Sequence, residues 1–296
     1  MEERAVTIGT FDGVHRGHQR VLEMLKEEAA AKGLQPIAMT FDRHPLDLIC
    51  PGRAPGNLLS TRRKEELLIQ EDVTPIILTF NEALRSMRAY EWLDFIHRKY
   101  MVRLLVAGYD NTFGSDGLDL SIADIKAMGD AIGIEVMEAP EIPGVSSSRI
   151  RKAVKAGQIA KACEMLGHEP ELEGKVISGF HVGREIGFPT ANLQPGKGLV
   201  VPGGGVYAAR ACIDDRTTWM PSMVNIGVRP TFDGTGVQSS HPTIEAHIIG
   251  NDEDLYGKPL RLEWVSRLRD ERKFKSIDAL KEQLERDRKK TLMLTE

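Results

Sequence analysis

Gly9-Thr10-Phe11-Asp12-Gly13-Val14-His15-Arg16-Gly17-His18 places glycines and a pair of imidazoles directly after a short apolar run. Imidazoles can donate hydrogen bonds to charge growing on a phosphoryl group. Glycines let the backbone approach a ligand, and a helix N-terminus adds unpaired N–H groups and positive potential. Three residues apart, His15 and His18 would share one face of a helix. The segment therefore predicts a nucleotide-phosphate site. A plain βα turn with packed or solvent-facing histidines is the competing description, and the concentration of glycine and histidine in one handover weighs against it. Zinc is disfavoured, because no Cys or third His stands at ligand spacing.

A second loop, Gly183-Arg184-Glu185-Ile186-Gly187-Phe188-Pro189-Thr190-Ala191-Asn192, cannot be a regular helix, given its glycines and proline. It lacks the Gly-Lys-Ser/Thr ending of a Walker A motif. Its backbone can still wrap phosphates, with the Thr190 hydroxyl and the Asn192 carbonyl oxygen available to a magnesium ion.

These segments need elements to hold them. In the first 140 residues or so, short apolar runs alternate with amphipathic stretches, the pattern of a parallel sheet covered by helices. Strands are expected at Ala5 to Phe11, Pro36 to Phe41, Pro75 to Phe80, Leu104 to Gly108 and Ile134 to Ala139. Val21, Leu22, Leu25 and Ala29 recur at helical spacing up to a stop at Gly33. Other helices are expected after Ser60 or Thr61, over Tyr90 to His97, and over Arg149 to Lys155, the last opened by Ser146, Ser147 and Ser148. Gly157 should interrupt that helix, and a further short one should end at Leu166 and Gly167. The reading is a Rossmann-like α/β domain over residues 1–167, a junction at His168 to Glu171, and a second domain over 172–296.

In the second domain the period shortens to 2. Ile244, Ala246 and Ile248 alternate with Glu245 and His247, and Leu260, Leu262 and Trp264 with Arg261 and Glu263. With strands at Lys175 to Ser178, Val206 to Ile213 and Met223 to Val228, this predicts a small antiparallel β-barrel or sandwich. A C-terminal helix follows, built on Ile277, Leu280 and Leu284, capped by Ser276, with Arg286 to Lys290 as a basic tail suited to its negative end. Alternation alone makes Glu245 a surface residue.

Composition bounds the rest. A net charge of −4 with both signs interspersed argues against a protein that grips nucleic acid. Cys50, Cys163 and Cys212 form no pair, which fits a reducing compartment. No apolar run suits a bilayer, and the N-terminus is unlike a signal peptide, so a cytoplasmic protein without membrane association is expected.

The first loop resembles the HxGH signature of nucleotidyltransferases. Phe41-Asp42-Arg43-His44-Pro45, Gly108-Tyr109-Asp110 with Phe113-Gly114, and Ser146-Ser147-Ser148-Arg149-Ile150-Arg151 are similar in order and spacing to the FAD synthetase module of prokaryotic bifunctional riboflavin kinase/FAD synthetase. Gly187 to Asn192 resembles the riboflavin kinase signature of the same family. Gly205-Val206-Tyr207, Asn225 to Phe232, Glu245, Asp254 to Gly257 and Arg267 to Phe274 follow in its order. Asn111 departs from the family's usual aromatic, and Ser148 from its usual threonine.

The resemblance implies that ATP is held in the first domain by Gly9, Phe11, Asp12, Gly13, His15, Gly17, His18, Ser146, Ser147, Ser148, Arg149 and Arg151. It places flavin near Phe41, Asp110 and Phe113. It gives catalytic roles to His15, His18 and Arg151 there, and to Glu245 in the barrel. In the barrel it assigns ATP to Gly183, Gly187, Phe188, Pro189, Thr190 and Asn192, and Mg2+ to Thr190 and Asn192. The implied substrates are riboflavin, FMN and ATP and the products FMN and FAD, with no nucleic-acid, membrane or obligate protein partner. A kinase with an inactive or regulatory N-terminal domain, and a flavin-binding sensor without turnover, are the alternatives.

Overall fold

The computed structural model describes residues 2–178, 183, 186–214, 217–232 and 238–296, without the side chains of 228–232 and 238–241. It separates into two compact units, Met1–Asn57 with Thr61–Ser146, and Leu58–Ser60 with Ser147–Glu296.

The first unit is a parallel sheet of β1 (Arg4–Ile8), β2 (Gln35–Phe41), β3 (Thr74–Leu78), β4 (Val102–Ala107) and β5 (Glu135–Glu138), in the order β3-β2-β1-β4-β5. The chain winds one way from β1 through β3 and the other way from β4. In such sheets the crevice beyond the strand ends at the point of reversal receives ligands. Helix α1 (Arg16–Lys32) buries Val21, Leu22, Leu25 and Ala29 and stops at Gly33, which adopts the left-handed conformation. It is joined by α2 (Pro45–Ile49), α3 (Thr61–Gln70), α4 (Glu82–Ser86), α5 (Ala89–Tyr100) and α6 (Ile122–Ile132). Trp92, Leu93 and Ile96 of α5 pack with Val6, Ile37, Met39 and Leu105 of the strands in the core.

The apolar run expected as a strand to Phe11 divides. β1 ends at Ile8, and Phe11 (φ 46°) and Val14 (φ 39°) lie in the left-handed region, which no strand contains. β3 likewise stops at Leu78 and β4 begins earlier, at Val102. The short helices α2 and α4 have five residues each, too few to display a helical period.

The second unit opens with α7 (Ser147–Lys155) and α8 (Ile159–Leu166), broken at Gly157 as its position suggests. Next come β6 (Glu171–Ile177), β7 (Ala191–Pro195), β8 (Gly205–Ile213), β9 (Trp219–Phe232), β10 (Gln238–Ile248) and β11 (Pro259–Arg269). They close into an antiparallel barrel in the order β10-β7-β6-β11-β8-β9. Its interior is filled by Trp264, Tyr207, Leu260, Leu262, Ile244, Ala246 and Ile248, so it is a packed core rather than a channel. β7 alternates Ala191 and Leu193, which face the core, with polar Asn192 and Gln194, and its start at Ala191 places Asn192 on a strand instead of in a loop.

The last helix, α9 (Ile277–Thr295), begins at a Ser276 cap that accepts the Ala279 N–H at 3.2 Å. It runs past Lys290, so Arg286 to Lys290 are mid-helix and no basic residue occupies the last turn. Asp287 interrupts that basic run: it is buried, accepting from Arg269 Nε and Gln283 Nε2 at 2.8 Å each.

Candidate active sites

The β1–α1 turn is held from several sides. His15 is the N-cap of α1 rather than its first helical residue, and its Nδ1 accepts the His18 N–H at 3.3 Å. That bond leaves Nε2 of a neutral His15 as its donor. The two imidazoles stack at 3.7 Å between centroids with planes 13° apart, and Phe11 tilts against His18 at 5.1 Å. A Cβ on Gly17 would lie 3.1 Å from the His15 ring, so glycine makes room for the stack. His18 Nδ1 is buried without a hydrogen-bond partner among the described residues. Burial, followed by the charges of His15 and Lys64, pushes the His18 pKa well below its ordinary 6.5. Near neutral pH His18 is an uncharged imidazole.

Thr10, inside the turn, offers its carbonyl to Thr40 Oγ1 and to Lys64 Nζ, both at 3.1 Å, and Lys64 also donates to the Phe41 carbonyl at 3.0 Å. Asp12 is buried; Gly9 and Gly13 complete the turn. Phe41 sits at the end of β2, edge-on to Phe80 at 5.2 Å. Phe113 is buried in the core and Asp110 is exposed. Asn111, the departure from the resembled pattern, donates from Nδ2 to the Ile8 carbonyl at 2.6 Å, tying the segment after β4 to the end of β1. Neither Lys64 nor the Asn111 bond was expected. Lys64 stands in the charged run Thr61-Arg62-Arg63-Lys64-Glu65-Glu66, which reads as a solvated helix face.

Ser147, Ser148, Arg149 and Arg151 belong to α7, in the second unit, with Ser146 just before it. Ser148 and Arg149 are exposed, Ser146 and Ser147 half-buried, and Arg151 is buried.

On the barrel, β10 pairs Glu245 with Asn192 of β7 on one side and with Asn225 of β9 on the other. Directly paired residues share a face, so Glu245 stands between two carboxamides on the outer wall, opposite the inward Ile244 and Ala246. Asn225 Nδ2 donates to Glu271 Oε1 at 3.0 Å. The loop before β7 is pinned at both ends. The Gly183 carbonyl accepts the Phe188 N–H at 2.8 Å, and a Cβ on Gly183 would lie 2.3 Å from the Phe188 oxygen. Phe188 is buried with Met223 and Ile249 against Ile186 and, from α9, Leu284 and Leu292. His247 lies edge-on to Phe188 at 5.3 Å, and its Nδ1 donates to the Pro189 carbonyl at 2.8 Å; burial lowers its pKa. Gly187 is exposed. An open cleft beside the loop is lined by Thr190, Asn192, Ile177, Ser178, Asp254 and Tyr256. Arg184 and Glu185 lie outside the described residues.

A FAD synthetase family model matches residues 1–153, and a riboflavin kinase model matches 166–295. The bifunctional riboflavin kinase/FMN adenylyltransferase of Bacillus subtilis (strain 168) is 33% identical over 98% of this chain and 93% of its own length. The protein of the same description from Pseudomonas fluorescens is 35% identical over 95% of this chain and 89% of its own. The chain belongs to the bifunctional riboflavin kinase/FMN adenylyltransferase family.

It is thus a transferase of flavin biosynthesis, using ATP to convert riboflavin to FMN and FMN to FAD. A solved Streptococcus pneumoniae structure described as a macrolide-efflux protein is also similar, at 30% identity and a TM-score of 0.85 over 98% of this chain and 94% of that one. That description is the streptococcal protein's own; in this family member no described helix is long and apolar enough to cross a membrane. The FAD synthetase match ends inside α7, so it takes in the whole Ser146–Arg151 run even though contacts group α7 with the barrel.

Proposed function

We propose that Glu245 is the general base of the riboflavin kinase half. Its carboxylate would take the proton of the riboflavin 5′-hydroxyl as that oxygen attacks the γ-phosphorus of ATP, giving FMN and ADP. The observation that carries this assignment is the pairing of Glu245 with Asn192, which sets the carboxylate beside the loop and cleft where a nucleotide would lie. Gly183, Gly187, Phe188 and Pro189 shape that loop; Phe188 acts through packing, as an anchor. The hydroxyl of Thr190 and the amide oxygen of Asn192 are hard neutral donors, a set that suits Mg2+ shared with ATP phosphates better than a cage of carboxylates. Bound there, Mg2+ would neutralise charge on the phosphoryl group.

In the FAD synthetase half, the FMN phosphate would attack the α-phosphorus of a second ATP and release pyrophosphate. The N–H groups at the start of α1, with Gly9, Phe11, Asp12, Gly13 and Gly17 forming the approach, would hold the triphosphate. His15 and His18, stacked on one another, would donate to the growing charge. Ser146, Ser147, Ser148, Arg149 and Arg151 would supply hydroxyl and guanidinium contacts, and Phe41, Asp110 and Phe113 would border the flavin. This assigns residues 1–167 to adenylylation and 172–296 to phosphorylation. A cytoplasmic location suits three cysteines that form no disulfide among the described residues.

Incubating the protein with riboflavin, ATP and Mg2+, then separating the flavins by chromatography, tests the whole scheme. FMN followed by FAD is expected. FMN without FAD would make the N-terminal half a silent or regulatory domain, and flavin binding without any turnover would make the chain a sensor.

A further inference from the structure

We propose that Lys64 is a positioning residue for FMN adenylylation, clamping the β1–α1 turn to the end of β2 through the carbonyls of Thr10 and Phe41. The inference rests on the adenylylation assigned to the N-terminal half. Lysine is almost never fully buried unless its ammonium is paired, yet Lys64 is only 9% exposed on α3. Its two donations, at 3.1 and 3.0 Å, join the loop proposed to face the nucleotide with the strand end proposed to face the flavin. The same helix adds a third tie at its first residue, where Thr61 Oγ1 donates to the Asp42 carbonyl at 3.1 Å.

The turn needs such restraint. Phe11 and the β-branched Val14 both hold positive φ, a conformation that persists only when the surroundings over-determine it. Thr40 Oγ1 shares the Thr10 carbonyl with Lys64, and Gln19 Nε2 donates to the Val14 carbonyl at 2.9 Å. Packing alone does not call for an ammonium, since an apolar side chain of equal length fills the same space without desolvating a charge. Burial pulls the Lys64 pKa down to about 8, against the opposing pull of Asp12 and Asp42, and the ammonium in turn lowers the pKa of His18. The clamp therefore also biases His18 toward its neutral, donating form.

The test compares full-length wild type with Lys64→Met in three readouts: adenylylation of supplied FMN, riboflavin phosphorylation, and an NMR titration of the histidines. Lys64→Met is expected to lower adenylylation kcat by about tenfold or more, with KM for ATP and FMN changed less than about threefold. Riboflavin kinase kcat should stay within about twofold, and His18 should titrate at higher pH than in the wild type. Adenylylation within twofold of wild type, or a rise in KM with kcat unchanged, overturns the proposal. Should Lys64→Met fail to fold, Thr40→Val decides, because it removes the other donor to Thr10 without touching a charge. A severalfold kcat loss with the kinase intact supports the clamp, and a wild-type rate overturns it. A wild type that makes no FAD from FMN refutes the underlying assignment instead, which an active wild type with an equally active Lys64→Met leaves standing.

Discussion

Glu245 stands on an outer wall, where a carboxylate ordinarily does nothing but meet water; its pairing with Asn192 and Asn225 is what supports the role proposed for it. Glu245→Gln should lower FMN formation by about 10²- to 10⁴-fold, the usual range for loss of a general base. Adenylylation of supplied FMN should stay near wild type, and assaying both reactions on one preparation checks the division of labour. Replacing His15 and His18 together by alanine should cut FAD and pyrophosphate release by at least about 10²-fold and spare the kinase. Because burial holds the His18 pKa well below 6.5, its protonation should not reduce the adenylylation rate between pH 8 and 6.5. A wild-type pH profile whose acid limb near 6.5 vanishes in His18→Gln would contradict that. Residue by residue, the sequence exposes what is unusual for its setting, such as paired imidazoles among glycines. It hides Lys64, whose type and neighbours suit a solvated helix, because only the folded chain brings backbone carbonyls to its ammonium.

Elements were legible where their periods were long enough to repeat. The β10 and β11 alternation and the α1 stripe both point inward as read. β7 escaped because its alternation, Ala191 and Leu193 against Asn192 and Gln194, spans only five residues directly after a Gly- and Pro-bearing loop, and its place is set by pairing to β6 and β10. The α9 reading failed differently: the basic cluster suggests a helix end, but the helix is extended by Thr291 and Leu292, which pack inward, and by Asp287, neutralised by Arg269. Asp287→Ala leaves Arg269 without that partner, and breaking such a buried pair typically costs about 3–5 kcal/mol. Thermal unfolding should register a drop of several degrees in the barrel transition, with Glu245 chemistry intact below it. Gly183→Ala should act oppositely, because its Cβ would meet the Phe188 carbonyl: kinase KM for ATP should rise while the fold survives.

At the scale of the molecule, two phosphate chemistries occupy unlike scaffolds in one chain. The change of period after about residue 170 made the two kinds of fold, a parallel sheet and an antiparallel barrel, legible, whereas the structure groups α7 and α8 with the barrel. Those helices have ordinary amphipathic stripes, and nothing in a stripe names the surface it will meet. Gly157 shows that surface in the structure: its Cα lies where a Cβ would be 2.8 Å from both Arg267 Cδ and the Tyr207 hydroxyl. Stripping divalent metal with a chelator should stop FMN formation from riboflavin and ATP, and Mg2+ should restore it. Full turnover in metal-free buffer would remove Thr190 and Asn192 from their proposed duty.

The packed barrel interior has a consequence for how this enzyme can change over time. Since Trp264 and Tyr207 fill the lumen while Glu245, the proposed base, hangs on the outside, interior packing and the proposed chemistry draw on separate sets of positions. Interior substitutions can adjust how long the fold survives heat without touching catalytic rate.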